Sequence, residues 1–255
     1  MTFQCRWEYM NAVSRYPEID MVRGIAILMM IIFHTVFDLS FFGISSINVS
    51  HGFWRYFAFS TAALFLLVVG ISLTLSHARA ATSLSGYRLA WKFLYRGAGI
   101  FLLGLLVTAG TWLYLKEGFI VFGILHLIGV SVMISPLFFR FKLFNIILGL
   151  FFIMIGFILS TVTGPIWLLP LGVHPATFWS VDYEPVFPWT GIVLCGMGLG
   201  EYLYPGGVRK FTLPRIPVFF IRPLASLGRH SLIIYLVHQP IIILLLAAVF
   251  GIALI

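Results

Sequence analysis

One segment of the sequence concentrates residues that can move protons and hold anions. It opens Arg15-Tyr16-Pro17-Glu18-Ile19-Asp20-Met21-Val22-Arg23-Gly24 and continues through an apolar run to His34-Thr35-Val36-Phe37-Asp38. Pro17 and Glu18 suit a helix start. At about 100° per residue from Asp20, Arg23 falls at about 300°, His34 at about 320° and Asp38 at about 0°. Four ionisable residues therefore share an arc of roughly 60° on a helix that is otherwise apolar. A charge within a bilayer costs at least a few kcal/mol, so this stripe must face other helices or a wet cavity. A rise of about 1.5 Å per residue separates Arg23 from His34 by ~16 Å. Histidine exchanges protons near neutral pH, a carboxylate one turn away can hold its tautomer, and arginine takes phosphate. Asp20 and Arg23 also suit a plain ion pair that fixes helix register.

Other polar positions stand out against the apolar background. His51 lies in His51-Gly52-Phe53-Trp54, just before a hydrophobic run. His126 lies in Gly123-Ile124-Leu125-His126-Leu127-Ile128-Gly129, and Asp182-Tyr183-Glu184-Pro185 brings carboxylates beside aromatics. His238-Gln239-Pro240 reads as a polar pair satisfying the carbonyl that Pro240 frees. His77, Arg79, Arg88, Lys92, Arg96, Arg222 and Arg229 could collect an anionic ligand or lipid head groups. Gly196-Met197-Gly198-Leu199-Gly200 has no strand before it and reads as a helix-packing surface, not a dinucleotide loop.

The elements that must position these groups follow from composition. Of 255 residues, 61 % are apolar and 9 % charged, against roughly 45–50 % and about 25 % in a soluble globule. Too little charge remains to coat a water-facing surface, so the chain reads as an integral, multi-pass cell-membrane protein. Long unbroken apolar runs exclude an alternating outer-membrane barrel. A span needs ~20 apolar residues, and seven segments qualify, at about 20–40, 53–75, 91–114, 118–139, 143–162, 186–204 and 230–253. The reading is an all-α polytopic bundle, a single transmembrane domain over 1–255. Gly164–Pro170 is too short to span, and the proline- and glycine-rich residues 205–222 read as a basic, broken connector. The arginine-bearing N-terminal tail lacks the apolar core of a cleavable signal peptide. Cys5 and Cys195 fall at different depths, which predicts neither a disulfide nor a metal site.

The net charge of +8 reports topology and not nucleic-acid binding. Fourteen of the sixteen Lys and Arg fall on one side: Arg6, Arg15, Arg23, Arg79, Arg88, Lys92, Arg96, Arg140, Lys142, Arg209, Lys210, Arg215, Arg222 and Arg229. Only Arg55 and Lys116 fall on the other. Positive loops stay inside, which predicts a cytoplasmic N-terminus and an outside C-terminus.

These residues resemble a family. Arg15…Asp20-x-x-Arg23-Gly24-x-Ala26 with His34 and Asp38 is similar to the first helix of the heparan-α-glucosaminide N-acetyltransferase catalytic domain family. His51-x-x-Trp54, Val69-Gly70-Ile71-Ser72-Leu73, Gly123-Ile124-Leu125-His126 and Asp182-Tyr183-x-Pro185-x-x-Pro188-Trp189 follow in the same order. The resemblance implies transfer of an acetyl group from cytosolic acetyl-CoA, as co-substrate, to a sugar amine or hydroxyl outside. It implies a catalytic role for His51, which precedes a Trp by three residues, and it places His34 where the eukaryotic enzyme has an Asn. The residue chemistry then assigns His51, His34 and Asp38 to catalysis. Arg23, Arg79, Arg88, Arg96 and Arg229 go to the CoA phosphates, and His126, Asp182 and Asp20 to acceptor contact or support. No metal is called for. The bilayer and an extracytoplasmic glycan or amino sugar are the expected partners, with a homo-oligomer left open. A small transporter or proton-coupled carrier, using the same stripe as a relay, is the alternative, and a non-catalytic scaffold is a third.

Overall fold

The computed structural model describes residues 16–213 and 218–251. Cys5, Arg6, Arg15 and Arg215 lie outside the described residues. Eight α-helices carry the described chain: α1 (Pro17–Phe41), α2 (Gly52–Ala80), α3 (Gly86–Leu115), α4 (Ile124–Ile134), α5 (Asn145–Leu159), α6 (Val186–Leu203), α7 (Val218–Arg229) and α8 (Ser231–Phe250). Among the described residues, six segments are long and apolar enough to cross a membrane: α1, α2, α3, Phe139–Leu159, α6 and α8.

The expected fourth segment, 118–139, differs. Its apolar first part, Gly118 to Phe122, is irregular, and the helix begins only at Ile124. Gly118 takes a left-handed backbone, φ +68°, which an α-helix does not accommodate. Its carbonyl accepts from the Val181 amide, and the Phe122 carbonyl accepts from the Glu184 amide, both through backbone bonds of 2.9 and 3.0 Å. Those residues pair with a neighbouring loop in place of their own helix. Hydrophobicity alone does not distinguish the two states. With Pro136 in the short 3₁₀ turn after α4, the helical stretch Ile124–Leu137 is shorter than the ~20 residues of an ordinary span. The connector expected at 205–222 also ends early, because α7 starts at Val218 and carries Pro223 inside it.

The chain divides into two compact units. One comprises Leu66–Thr212, the other Tyr16–Phe65 with Leu213–Ile255; α2 begins in the second and ends in the first. In the unit of Leu66–Thr212, α6 packs through its glycines. Gly196 lies against the backbone of Leu67, Gly198 against Ile146, and Gly200 against Ile71 and Thr74. The Thr74 hydroxyl donates to the Met197 carbonyl at 2.9 Å. The glycine run is thus a packing surface, as its sequence context suggests.

In the other unit, α1 begins with Pro17 in its first turn and Glu18 and Asp20 beside the positive helix end. Gly24 meets the backbone of Leu224, and Gly228 meets that of Asp20. A Cβ at either position would strike main chain, so these glycines let α1 and α7 cross closely. The pairings 24 with 224 and 20 with 228 make α7 antiparallel to α1. After Arg229 the chain turns into α8, whose contacts climb α1 in its own direction, from His34 opposite His238 to Asp38 opposite Gln239. Helices α1 and α8 are therefore parallel.

Candidate active site

The unit built from α1, α7 and α8 holds two polar tiers. The first is Asp20, Arg23 and the end of α7. The Arg23 guanidinium pairs with Asp20 at 2.9 Å and donates to the Gly228 carbonyl at 3.4 Å. Arg229 follows directly and is exposed. Asp20 is buried and holds Arg23 on α1, the Gly228 carbonyl ties that guanidinium to α7, and a second cation, Arg229, is exposed.

The second tier lies eleven residues along α1, ~16 Å at an ordinary helical rise. His34 and His238 meet edge to face, ring centroids 4.8 Å apart. One helical turn on, the Gln239 side-chain amide donates to both oxygens of Asp38, at 2.7 and 2.9 Å. Asp38 is 2 % exposed and His238 8 %. The i, i+4 spacing of His34 and Asp38 puts them on one face of α1. The adjacent pair on α8 meets both.

Hydrogen bonding fixes part of the proton inventory. His238 Nδ1 lies 2.6 Å from the Tyr235 carbonyl. A carbonyl only accepts, so Nδ1 carries the hydrogen and the neutral ring keeps its lone pair on Nε2. That Nε2, His34 Nδ1 and Gln239 Oε1 are buried without a hydrogen-bond partner. Buried polar atoms are ordinarily satisfied. Three unsatisfied atoms on two facing helices mark a place where a ligand's polar groups would be received.

Sequence reasoning treated His238 and Gln239 as support for a proline-broken helix. The overlooked signal was complementarity: two polar residues four apart on one apolar span, and an adjacent polar pair on another.

The remaining candidates are distributed differently. His51 is exposed in the loop before α2, with its Nδ1 3.4 Å from Asn48 Oδ1. Among the described residues no hydrogen bond or ring contact joins it to His34 or Asp38. In the unit of Leu66–Thr212, His126 is engaged on both ring nitrogens. Its Nδ1 accepts from the Gly123 amide at 3.2 Å, so Nε2 carries the hydrogen and faces the Thr108 hydroxyl at 3.4 Å. This ring is 2 % exposed and packs against Phe101, a structural arrangement. Asp182 accepts from the Ile124 amide at 3.3 Å, at the positive end of α4. Burial, then the neighbouring Asp182 charge, push the Glu184 carboxyl well above the usual carboxylate range. Burial raises Tyr183 to about 12, and its hydroxyl donates to the Leu169 carbonyl at 2.7 Å. Arg96 reaches Ser76 at 3.4 Å, Arg79 bonds back to the Leu75 carbonyl at 3.2 Å, and Arg88 lies on its neighbour Tyr87.

Compared with known protein families, residues 15–240 match the family model described as heparan-alpha-glucosaminide N-acetyltransferase, catalytic. No curated protein and no solved structure matches the chain.

Proposed function

From the premise that the chain belongs to the heparan-alpha-glucosaminide N-acetyltransferase catalytic family, we propose that it moves an acetyl group from cytosolic acetyl-CoA to an extracytoplasmic sugar amine or hydroxyl. This is an integral, multi-pass membrane protein of acetyltransferase type.

The observation that carries this proposal is the His34–His238 contact with its unpartnered ring nitrogens. In this reading, His238 Nε2 accepts a proton from the acceptor amine or hydroxyl as that atom bonds to the thioester carbonyl carbon. The carbon–sulfur bond then breaks, and the departing CoA thiolate takes the proton from the imidazolium. His34, protonated on Nδ1, donates to the carbonyl oxygen where negative charge develops. Asp38, held by Gln239, keeps the α1 side of the site in register. Arg23 and Arg229 receive CoA phosphates, and the ~16 Å between the tiers is a distance that the extended pantetheine arm spans. His51, exposed beyond the end of α1, meets the incoming acceptor.

The test uses purified protein in vesicles. Acetyl-labelled acetyl-CoA is supplied on one side, and an amino sugar or a hydroxyl sugar on the other. The reading expects label on the sugar. Retention of all label on CoA with both acceptor classes, by protein shown to bind acetyl-CoA, would contradict it.

A further inference from the structure

In the unit of Leu66–Thr212, a pocket of about 350 Å³ is lined by Phe141, Lys142, Phe144, Glu201, Tyr202 and Lys210, with Leu143 and Pro205 between them. It has no part in the chemistry proposed above. Its lining comes from the beginning of one span, Phe139–Leu159, the last turn of another, Val186–Leu203, and, with Pro205 and Lys210, the segment that follows it. Those two helix ends put the pocket at the level of a membrane surface, where lipid head groups lie.

The chemistry of the lining is specific. Two lysines and one glutamate line it together with aromatic rings. Lys210 Nζ lies 5.3 Å from the centre of the Tyr202 ring. Lys142 takes a positive φ of 48°, with a ψ of −121°, which breaks the helical path ahead of α5. Such a backbone is disfavoured for a side chain with a Cβ and persists where its surroundings enforce it. Asn145, 1 % exposed, does so by donating its side-chain amide to the Phe138 carbonyl at 3.0 Å across the same turn. The turn therefore presents Lys142 to the pocket at a conformational cost. Two lysines alone would suit any phosphate. Glu201 in the same lining adds a place for a positive group, and Leu143 and Phe144, each about half exposed, offer an apolar surface to acyl chains.

We propose that this pocket binds the head group of a zwitterionic phospholipid carrying a primary ammonium, of the phosphatidylethanolamine class. Lys142 and Lys210 take the phosphate, and Glu201 takes the ammonium. An anionic phospholipid would satisfy only the lysines. A water-soluble phosphate ester would forgo the apolar lining.

The experiment is native mass spectrometry of the full chain in detergent, titrated separately with phosphatidylethanolamine, phosphatidylglycerol and O-phosphoethanolamine. One phosphatidylethanolamine should be retained about tenfold more tightly than phosphatidylglycerol, the scale of one lost charge-assisted contact. O-Phosphoethanolamine should not be retained. The double variant Lys142→Gln/Lys210→Gln should lose both lipids, and Glu201→Gln should bring the two lipids level. Lys116→Gln, outside the pocket, controls for general charge loss and should bind as the wild type does. Equal retention of both lipids by the wild type would overturn the proposal. So would binding of O-phosphoethanolamine as tight as the lipid, or undiminished retention by the double-lysine variant.

Discussion

Gln239 donates its side-chain amide to both carboxylate oxygens of Asp38, at 2.7 and 2.9 Å, and so ties α8 to α1 one turn above the histidine pair. The bond defines which way the amide points, since only its nitrogen can face a carboxylate. The amide oxygen is thereby turned to the side where it finds no donor.

Removing one member of this pair leaves the other buried and unsatisfied. Gln239→Leu should therefore destabilise the protein by about 1–3 kcal/mol, read as a lower melting temperature in detergent. The double variant Asp38→Leu/Gln239→Leu should recover much of that loss, because neither polar group remains. If the double variant melted lower than Gln239→Leu by the full single-mutant effect of Asp38→Leu, the two residues would not be coupled.

Glu184 gives a pH prediction with a definite sign. Burial and the Asp182 charge raise its carboxyl pKa in the folded state, whereas the unfolded chain releases that proton near the ordinary carboxylate value. Between the two, the folded state binds more protons, so this group's contribution to stability falls as pH rises. It is fully present below the unfolded value and lost upward through the raised one. Glu184→Gln should flatten the decline in melting temperature from acid to neutral pH. An unchanged slope would contradict the assignment.

The parallel course of α1 and α8 bears on membrane topology. If both cross in the same sense, an odd number of crossings separates them. The helices α2, α3 and α6 and the segment Phe139–Leu159 supply four, and one of the two short helices, Ile124–Leu137 or α7, supplies the fifth; the alternation of basic loops favours Ile124–Leu137. In a variant otherwise free of cysteine, cysteine placed at Glu117 should react with an impermeant reagent applied to intact cells, and cysteine at Lys142 should not. Labelling of both from the same side would remove the crossing, and with it the cytoplasmic assignment of the basic loops.

His51 and His238 should differ in kind. If His51 meets the acceptor, His51→Ala should raise the acceptor KM while leaving kcat and acetyl-CoA binding nearly as they are. A collapse of kcat with unchanged KM would make His51 the base instead.

Much of this architecture is legible in the residue pattern. The polar stripe of Asp20, Arg23, His34 and Asp38 follows from helical periodicity alone. Six of the seven expected segments coincide with long apolar helices within a few residues at most ends. The fourth is not legible because Gly118–Phe122 is as apolar as a span, and only its backbone pairing with Val181 and Glu184 shows it to be a loop. The site is half legible. The α1 half announces itself as charge where charge is costly. The α8 half, His238 and Gln239, is masked by Pro240, which offers each of them a local explanation. Only the tertiary contact of α8 with α1 shows that their partners are His34 and Asp38.

The most direct test of the account is the single-turnover rate of acetyl transfer by His238→Ala, measured beside its binding of acetyl-CoA by calorimetry. The account predicts a folded protein that binds acetyl-CoA as the wild type does and transfers about 10²–10⁴-fold more slowly, the scale of a lost general base. Transfer at the wild-type rate by well-folded His238→Ala would contradict it.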